Sequence, residues 1–164
     1  MPATMDFDTS RARGPHALLA RLVGSYAGRT RLWFEPGDPV DDAEITGTIE
    51  PLGGGRFVRH RYTTRVLGDE HSGEAIIGCD LQRGRWQVAW IDSFHTGEQI
   101  MFSEGPAAPG ATRVEVLGSY PAEEGPDWGW RTTIEPTDPG VVVQHHNLTP
   151  DGTETLAVDV TGRR

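Results

Sequence analysis

The chain of 164 residues carries 24 acidic against 15 basic side chains, and the net charge of −9 argues against nucleic acid and anionic membrane surfaces as partners. All 15 basic residues are Arg, so lysine Schiff-base chemistry, phosphate-loop lysines and kinase-type lysines are excluded. The length suits one domain with a substantial core and leaves no room for a second catalytic domain.

Gly and Pro together make about a fifth of the chain, scattered among β-branched and aromatic residues, which is the composition of many short strands joined by turns. The single cysteine, Cys79, allows no intrachain disulfide. The first thirty residues hold no apolar run of signal-peptide or membrane-span length, so a cytoplasmic location is expected.

Residues 1–13 are polar and irregular and read as a mobile arm before a single domain over 14–164. Pro15 opens one short helix, His16 to Gly24, in which Leu18, Leu19, Leu22 and Val23 recur at helical spacing and Gly24 supplies the stop. From Tyr26 the period changes to two. Ten strands are expected, roughly Tyr26–Glu35, Glu44–Leu52, Arg56–Leu67, Ser72–Leu81, Arg85–Phe94, Gln99–Glu104, Thr112–Ser119, Gly129–Glu135, Val141–Leu148 and Thr155–Thr161.

The links between them are short and rich in turn residues, as in Gly53-Gly54-Gly55, Gly68-Asp69-Glu70 and Pro150-Asp151-Gly152. Short links imply an antiparallel meander, and closing ten strands into a β-barrel removes the two exposed edges. The helix then covers one mouth. A helix-grip fold lacks its long C-terminal helix and a cystatin-like cone its N-terminal helices, whereas an immunoglobulin-like sandwich stays open as an alternative.

A barrel of ten strands has room for a ligand, so the strand faces matter. One face of Arg85 to Phe94 reads Trp86, Val88, Trp90, Asp92. In Arg56 to Leu67 the set Val58, His60, Tyr62, Thr64, Val66 has more interior character than Phe57, Arg59, Arg61, Thr63, Arg65. Trp128, Trp130, Thr132, Ile134 and Val141, Val143, His145, Asn147 complete a mixed apolar and polar lining. Asp92 stands out, because a buried carboxylate must be hydrogen-bonded, paired or protonated.

No metal or other cofactor is called for. His145 and His146 point to opposite faces of a strand, and a metal would need His145 with His60, His95 or Asp92 from elsewhere, without any spaced ligand motif. No Gly-x-Ser-x-Gly elbow is present, and Cys79 reads as a small core hydrophobe.

Leu22-Val23-Gly24-Ser25-Tyr26, Gly54-Gly55-Arg56-Phe57, Ile77-Gly78-Cys79-Asp80, Trp90-Ile91-Asp92-Ser93 and Ser103-Glu104-Gly105 follow one another in order. Together they resemble the bacterial domain-of-unknown-function family 1579, over about residues 18–105 and then through Asp151-Gly152 and Thr161-Gly162-Arg163. The resemblance implies a lipocalin-like, calycin-type barrel with a helix at one end, and no activity. Tyr26 departs from a usual Trp, and Cys79 from a common Tyr.

The leading expectation is a small-molecule binding protein that holds an apolar or aromatic ligand among Trp86, Trp90 and Trp130, with Arg61 or a histidine at its polar end. The alternative is an enzyme of small-molecule metabolism, a cyclase, isomerase or dehydratase, with acid and base drawn from Asp92, His145, His60 and Tyr62. An interaction module is the third reading, and homodimerisation through one sheet face is allowed.

Overall fold

The computed structural model describes residues 4–164. Two short helices, α1 (Phe7–Arg13) and α2 (Pro15–Leu22), precede ten strands. These are β1 (Gly24–Leu32), β2 (Asp41–Leu52), β3 (Phe57–Val66), β4 (Asp69–Asp80), β5 (Arg85–Asp92), β6 (Met101–Pro106), β7 (Val114–Tyr120), β8 (Trp128–Pro136), β9 (Gly140–Leu148) and β10 (Glu154–Arg163). Each strand pairs antiparallel with its neighbour in sequence, and β1 pairs with β10 from Ala27↔Arg163 to Leu32↔Val158, which closes the barrel. The closed ten-strand meander is therefore the observed architecture, and the sandwich alternative is removed.

The N-terminal reading needs correction. Residues 7–13, expected to be irregular, form α1, because Asp6 caps the helix by accepting the Thr9 amide at 2.8 Å and Arg11 and Arg13 complement its last turn. The part of the expected arm over residues 1–3 lies outside the described residues. Gly14 then breaks the chain before Pro15 starts α2.

Helix α2 buries Leu18, Leu19 and Leu22 and packs against β3, β4 and β8, so it closes one end of the barrel. The Arg164 side chain ties the helix down, donating to the carbonyls of Arg21 and Leu22 at 2.7 and 2.9 Å. Opposite this closed end is an open end, where β1, β3, β5, β7 and β9 finish and the other strands begin. There the β3–β4 hairpin turns through Leu67 (φ 50°) and Gly68 (φ 90°), a two-residue turn with both φ positive that matches the strand twist. No described helix is long and apolar enough to cross a membrane.

The inward faces are those the period-two pattern favours. Trp86, Val88, Trp90 and Asp92 are all buried on β5, and Val58 and His60 are buried on β3. Below the helices the lumen is filled by Ile49, Ile77, Trp86, Val114, Val116 and Val141. Towards the open end the apolar filling gives way to imidazoles, phenols and indoles.

Candidate functional site

Asp92 ends the inward face of β5 at the open end and is 5% exposed. Its Oδ1 accepts the backbone amides of Phe94 at 3.0 Å and Thr96 at 3.3 Å, together with that of His95. The Asp92 amide in turn donates to Thr96 Oγ1 at 2.8 Å. This side-chain-to-backbone turn folds the loop after β5 back on itself and brings His95 over the lumen.

The other carboxylate oxygen, Oδ2, accepts the Tyr62 hydroxyl at 3.0 Å and His95 Nδ1 at 2.9 Å, and His71 Nε2 lies 3.2 Å away. Burial alone would raise the Asp92 pKa, but its interactions with His71 and His95 prevail and hold it well below the usual carboxylate range. Asp92 is thus a fixed anion. Behind it, His71 Nδ1 sits 2.7 Å from Ser93 Oγ, which also accepts the Ser72 amide at 3.0 Å.

Tyr62 relays between strands, because it donates to Asp92 while accepting the Trp90 indole N–H at 3.0 Å. Burial and the Asp92 charge both raise its pKa, so the phenol stays protonated. Gly73, on β4 opposite Asp92, makes this contact sterically feasible, and Gly47 does the same for Tyr26, whose ring a Cβ there would meet at 2.4 Å.

Two further imidazoles line the lumen. His60 Nε2 is 2.7 Å from the Tyr26 hydroxyl, and burial pushes the histidine down to about 4. His145 Nδ1 accepts the Trp130 indole N–H at 3.2 Å and lies 2.8 Å from Thr132 Oγ1. An indole can only donate, so His145 is neutral with its proton on Nε2. Burial, reinforced by the nearby His95, pushes His145 down to about 3. Its ring stacks with Trp90 at 4.9 Å and with Trp130 at 5.3 Å. Neither His60 Nδ1 nor His145 Nε2 has a hydrogen-bond partner among the described residues.

Two cavities meet here. A central one of about 60 Å³ is lined by His60, Tyr62, Ser103, Thr132 and His145 among others. A second, of about 210 Å³, lies at the open end between Trp33, Phe34, Phe94, Tyr120, Trp130 and Asn147. Leu32, Trp90 and His95 border both and form the partition. Phe34 and Phe94 leave 61% and 44% of their surface exposed at the rim.

The structure therefore brings Asp92, Tyr62, His60, His145 and Trp90 together around the central cavity, with Trp130 beside them on the outer one. It does not bring in Trp86, which is fully buried towards the helix-capped end, nor Arg61, which is on the outer face and pairs with Glu50 at 3.1 Å. Cys79 is half-buried in register with Trp86, and burial with the Asp80 charge pushes its thiol up to about 11. That makes it no nucleophile at neutral pH.

His71 was not among the expected site residues, and His95 was named only as a partner that His145 would need in a metal site, which the sequence did not call for. Strand β4 starts at Asp69, two residues before His71, whereas the turn signal Gly68-Asp69-Glu70 placed the strand start after it. His95 belongs to a loop, and its only sequence signal is the Asp92 to Thr96 spacing that suits a side-chain-capped turn.

The profile of a family described as a protein of unknown function, DUF1579, matches residues 11–164. No curated protein matches the chain. Among solved structures, that of Rv2717c from M. tuberculosis is similar with a TM-score of 0.61 at 15% identity, over 93% of this chain and 98% of the other. At that identity the likeness concerns the fold alone.

Proposed function

The chain belongs to the DUF1579 family, which is defined without an activity, and we propose that this member is a binding protein for a small, flat, aromatic molecule with one polar edge. The observation that carries this reading is the pairing of the two cavities. The outer one is aromatic and the inner one presents neutral His60 and His145, each with an unpartnered ring nitrogen.

Volume narrows the ligand. A cavity of about 150 Å³ accommodates benzene, so 210 Å³ suits one or two fused rings, well below the roughly 300–1,000 Å³ of sites for drug-sized molecules. The central 60 Å³ is too small for a ring and suits a hydroxyl, a carbonyl or water. The rings would lie against Trp130 and Phe94, with the polar group reaching past Trp90 and His95.

Acid–base catalysis by Asp92 and His145 finds less support. Asp92 is held ionised, and His145, at about 3, is unprotonated at neutral pH, so the pair offers no acid.

Titration with 2-naphthol, a two-ring molecule with one hydroxyl, tests the binding reading. Tryptophan fluorescence should change saturably with a 1:1 endpoint, and Trp130→Ala should weaken binding at least tenfold. Absence of a saturable change, or equal affinity in the variant, would overturn it.

A further inference from the structure

The geometry points to a binding site for a divalent transition-metal ion, of which zinc is the type, formed by His71 Nε2, Asp92 Oδ2 and His95 Nδ1 at the partition between the two cavities. This inference does not depend on the aromatic ligand.

The first support is the convergence of donors. The three residues come from β4, β5 and the loop after β5, and one ligand atom from each lies within 4.8 Å of the others. Oδ2 is 2.9 Å from the His95 nitrogen and 3.2 Å from the His71 nitrogen. Donors at about 2.0–2.2 Å from one zinc ion, at tetrahedral or octahedral angles, stand about 2.9–3.5 Å apart; both separations from Asp92 Oδ2 fall in that interval, and the two imidazole nitrogens, within 4.8 Å of each other, would close on the ion by side-chain rotation.

The second support is how the remaining atoms of Asp92 and His71 are engaged, while His95 Nε2 is buried without a partner. Asp92 Oδ1 is occupied by three backbone amides of its own loop, which leaves Oδ2 as the oxygen that faces the two imidazoles. His71 Nδ1 is engaged by Ser93 Oγ, itself anchored by the Ser72 amide, which leaves Nε2. Outer hydrogen bonds of this kind set the tautomer and orientation of metal-binding imidazoles. Tyr62 donates to the same Oδ2 and steadies it.

Solvation of the carboxylate does not by itself account for the arrangement. Three amides and a phenol already satisfy Asp92, yet two imidazoles also converge on it, with the His71 and Asp92 side chains only 5% and 1% exposed. Without a metal the imidazole protons occupy the space between these atoms, and a cation would displace them, so binding releases protons. Two imidazoles with one carboxylate suit zinc or its neighbours far better than Mg²⁺ or Ca²⁺, which take oxygen ligands. Three protein donors leave a coordination position for water or a ligand. Among the described residues, His60 and His145 belong to no such converging group of three ligating side chains.

The test is titration of the EDTA-treated, dialysed full chain with Co²⁺, read by visible absorption, followed by displacement with Zn²⁺. The expected result is one equivalent of bound Co²⁺ released by one equivalent of Zn²⁺. His71→Ala and His95→Ala should each weaken binding at least tenfold, Ser93→Ala by about tenfold, and His146→Ala not at all. Circular dichroism reports whether each variant is folded, and if His71→Ala is not, His95→Ala in the loop decides the same question. Absence of stoichiometric Co²⁺ binding by the wild-type chain, or undiminished binding by folded His95→Ala, overturns the proposal. A failed 2-naphthol titration would leave these outcomes unchanged, so the two readings fail separately.

Discussion

Gly73 lies so close beneath Tyr62 that a Cβ at position 73 would sit 2.1 Å from the phenol oxygen and 2.8 Å from the Asp92 Cβ. The backbone of β4 thereby makes space for the Tyr62 hydroxyl to reach the carboxylate from the neighbouring strand. Gly73 is required for volume, and its place in β4 next to the partly buried Tyr62 and the buried Asp92 explains why no larger residue fits.

Gly73→Ala should therefore destabilise the barrel by about 1–3 kcal/mol, the usual cost of overpacking a filled interior. Urea denaturation measures it. In a Tyr62→Ala background the same substitution should cost less, because the clashing ring is gone and only the 2.8 Å approach to the Asp92 Cβ remains. Equal costs in both backgrounds would mean that Tyr62 is not the obstacle.

Asp92→Asn keeps the shape of the side chain and removes its charge. The amide then has too few acceptor sites for Tyr62, His95 and the three loop amides, with His71 also alongside. We expect a loss of about 3 kcal/mol, in line with breaking a buried charged network by removing one partner. Chemical denaturation checks the magnitude. Amide exchange of residues 94–96 should quicken at the same time, since the carboxylate caps that turn.

Stability should fall in mild acid. His60 and His145 are buried neutral, with values of about 4 and about 3 in the folded chain against 6.5 for the free side chain. Both are depressed, so their contribution is fully present above about pH 6.5 and is lost as the pH drops towards 4 and then 3, where the unfolded chain binds protons the folded chain refuses. For His60 the loss is on the order of 3 kcal/mol, a large share of a typical domain stability of about 5–15 kcal/mol. Thermal midpoints measured between pH 7.5 and 4.5 should decline, and His60→Phe should flatten the decline. A profile unchanged by that substitution would show that His60 does not titrate on unfolding.

Much of the barrel was legible in the sequence for local reasons. Alternation on a pleated strand sends every second side chain inward, so Val58, His60 and Tyr62 on β3 and Trp86, Trp90 and Asp92 on β5 could be grouped before any pairing was known. Short turn-rich links allowed only antiparallel neighbours, and ten of them left closure as the way to hide the edges. Arg61 was expected at the polar end of a ligand in the lumen, but it alternates outward with Arg59, and both meet Glu50.

The amino-acid order by itself thus determined the strands, their inner faces, the absence of lysine chemistry and the inward place of the Asp92 carboxylate. Only the tertiary structure decided that His71 and His95 converge on Asp92, that Trp86 lies away from the cavities, and that the lumen divides into spaces of about 60 and 210 Å³. The physical reason is range. Side-chain alternation is settled within a few residues, whereas cross-strand proximity depends on the register of β4 against β5 and on a loop folded by its own capping aspartate. Cavity volume, in turn, is what remains after every inward side chain has been packed.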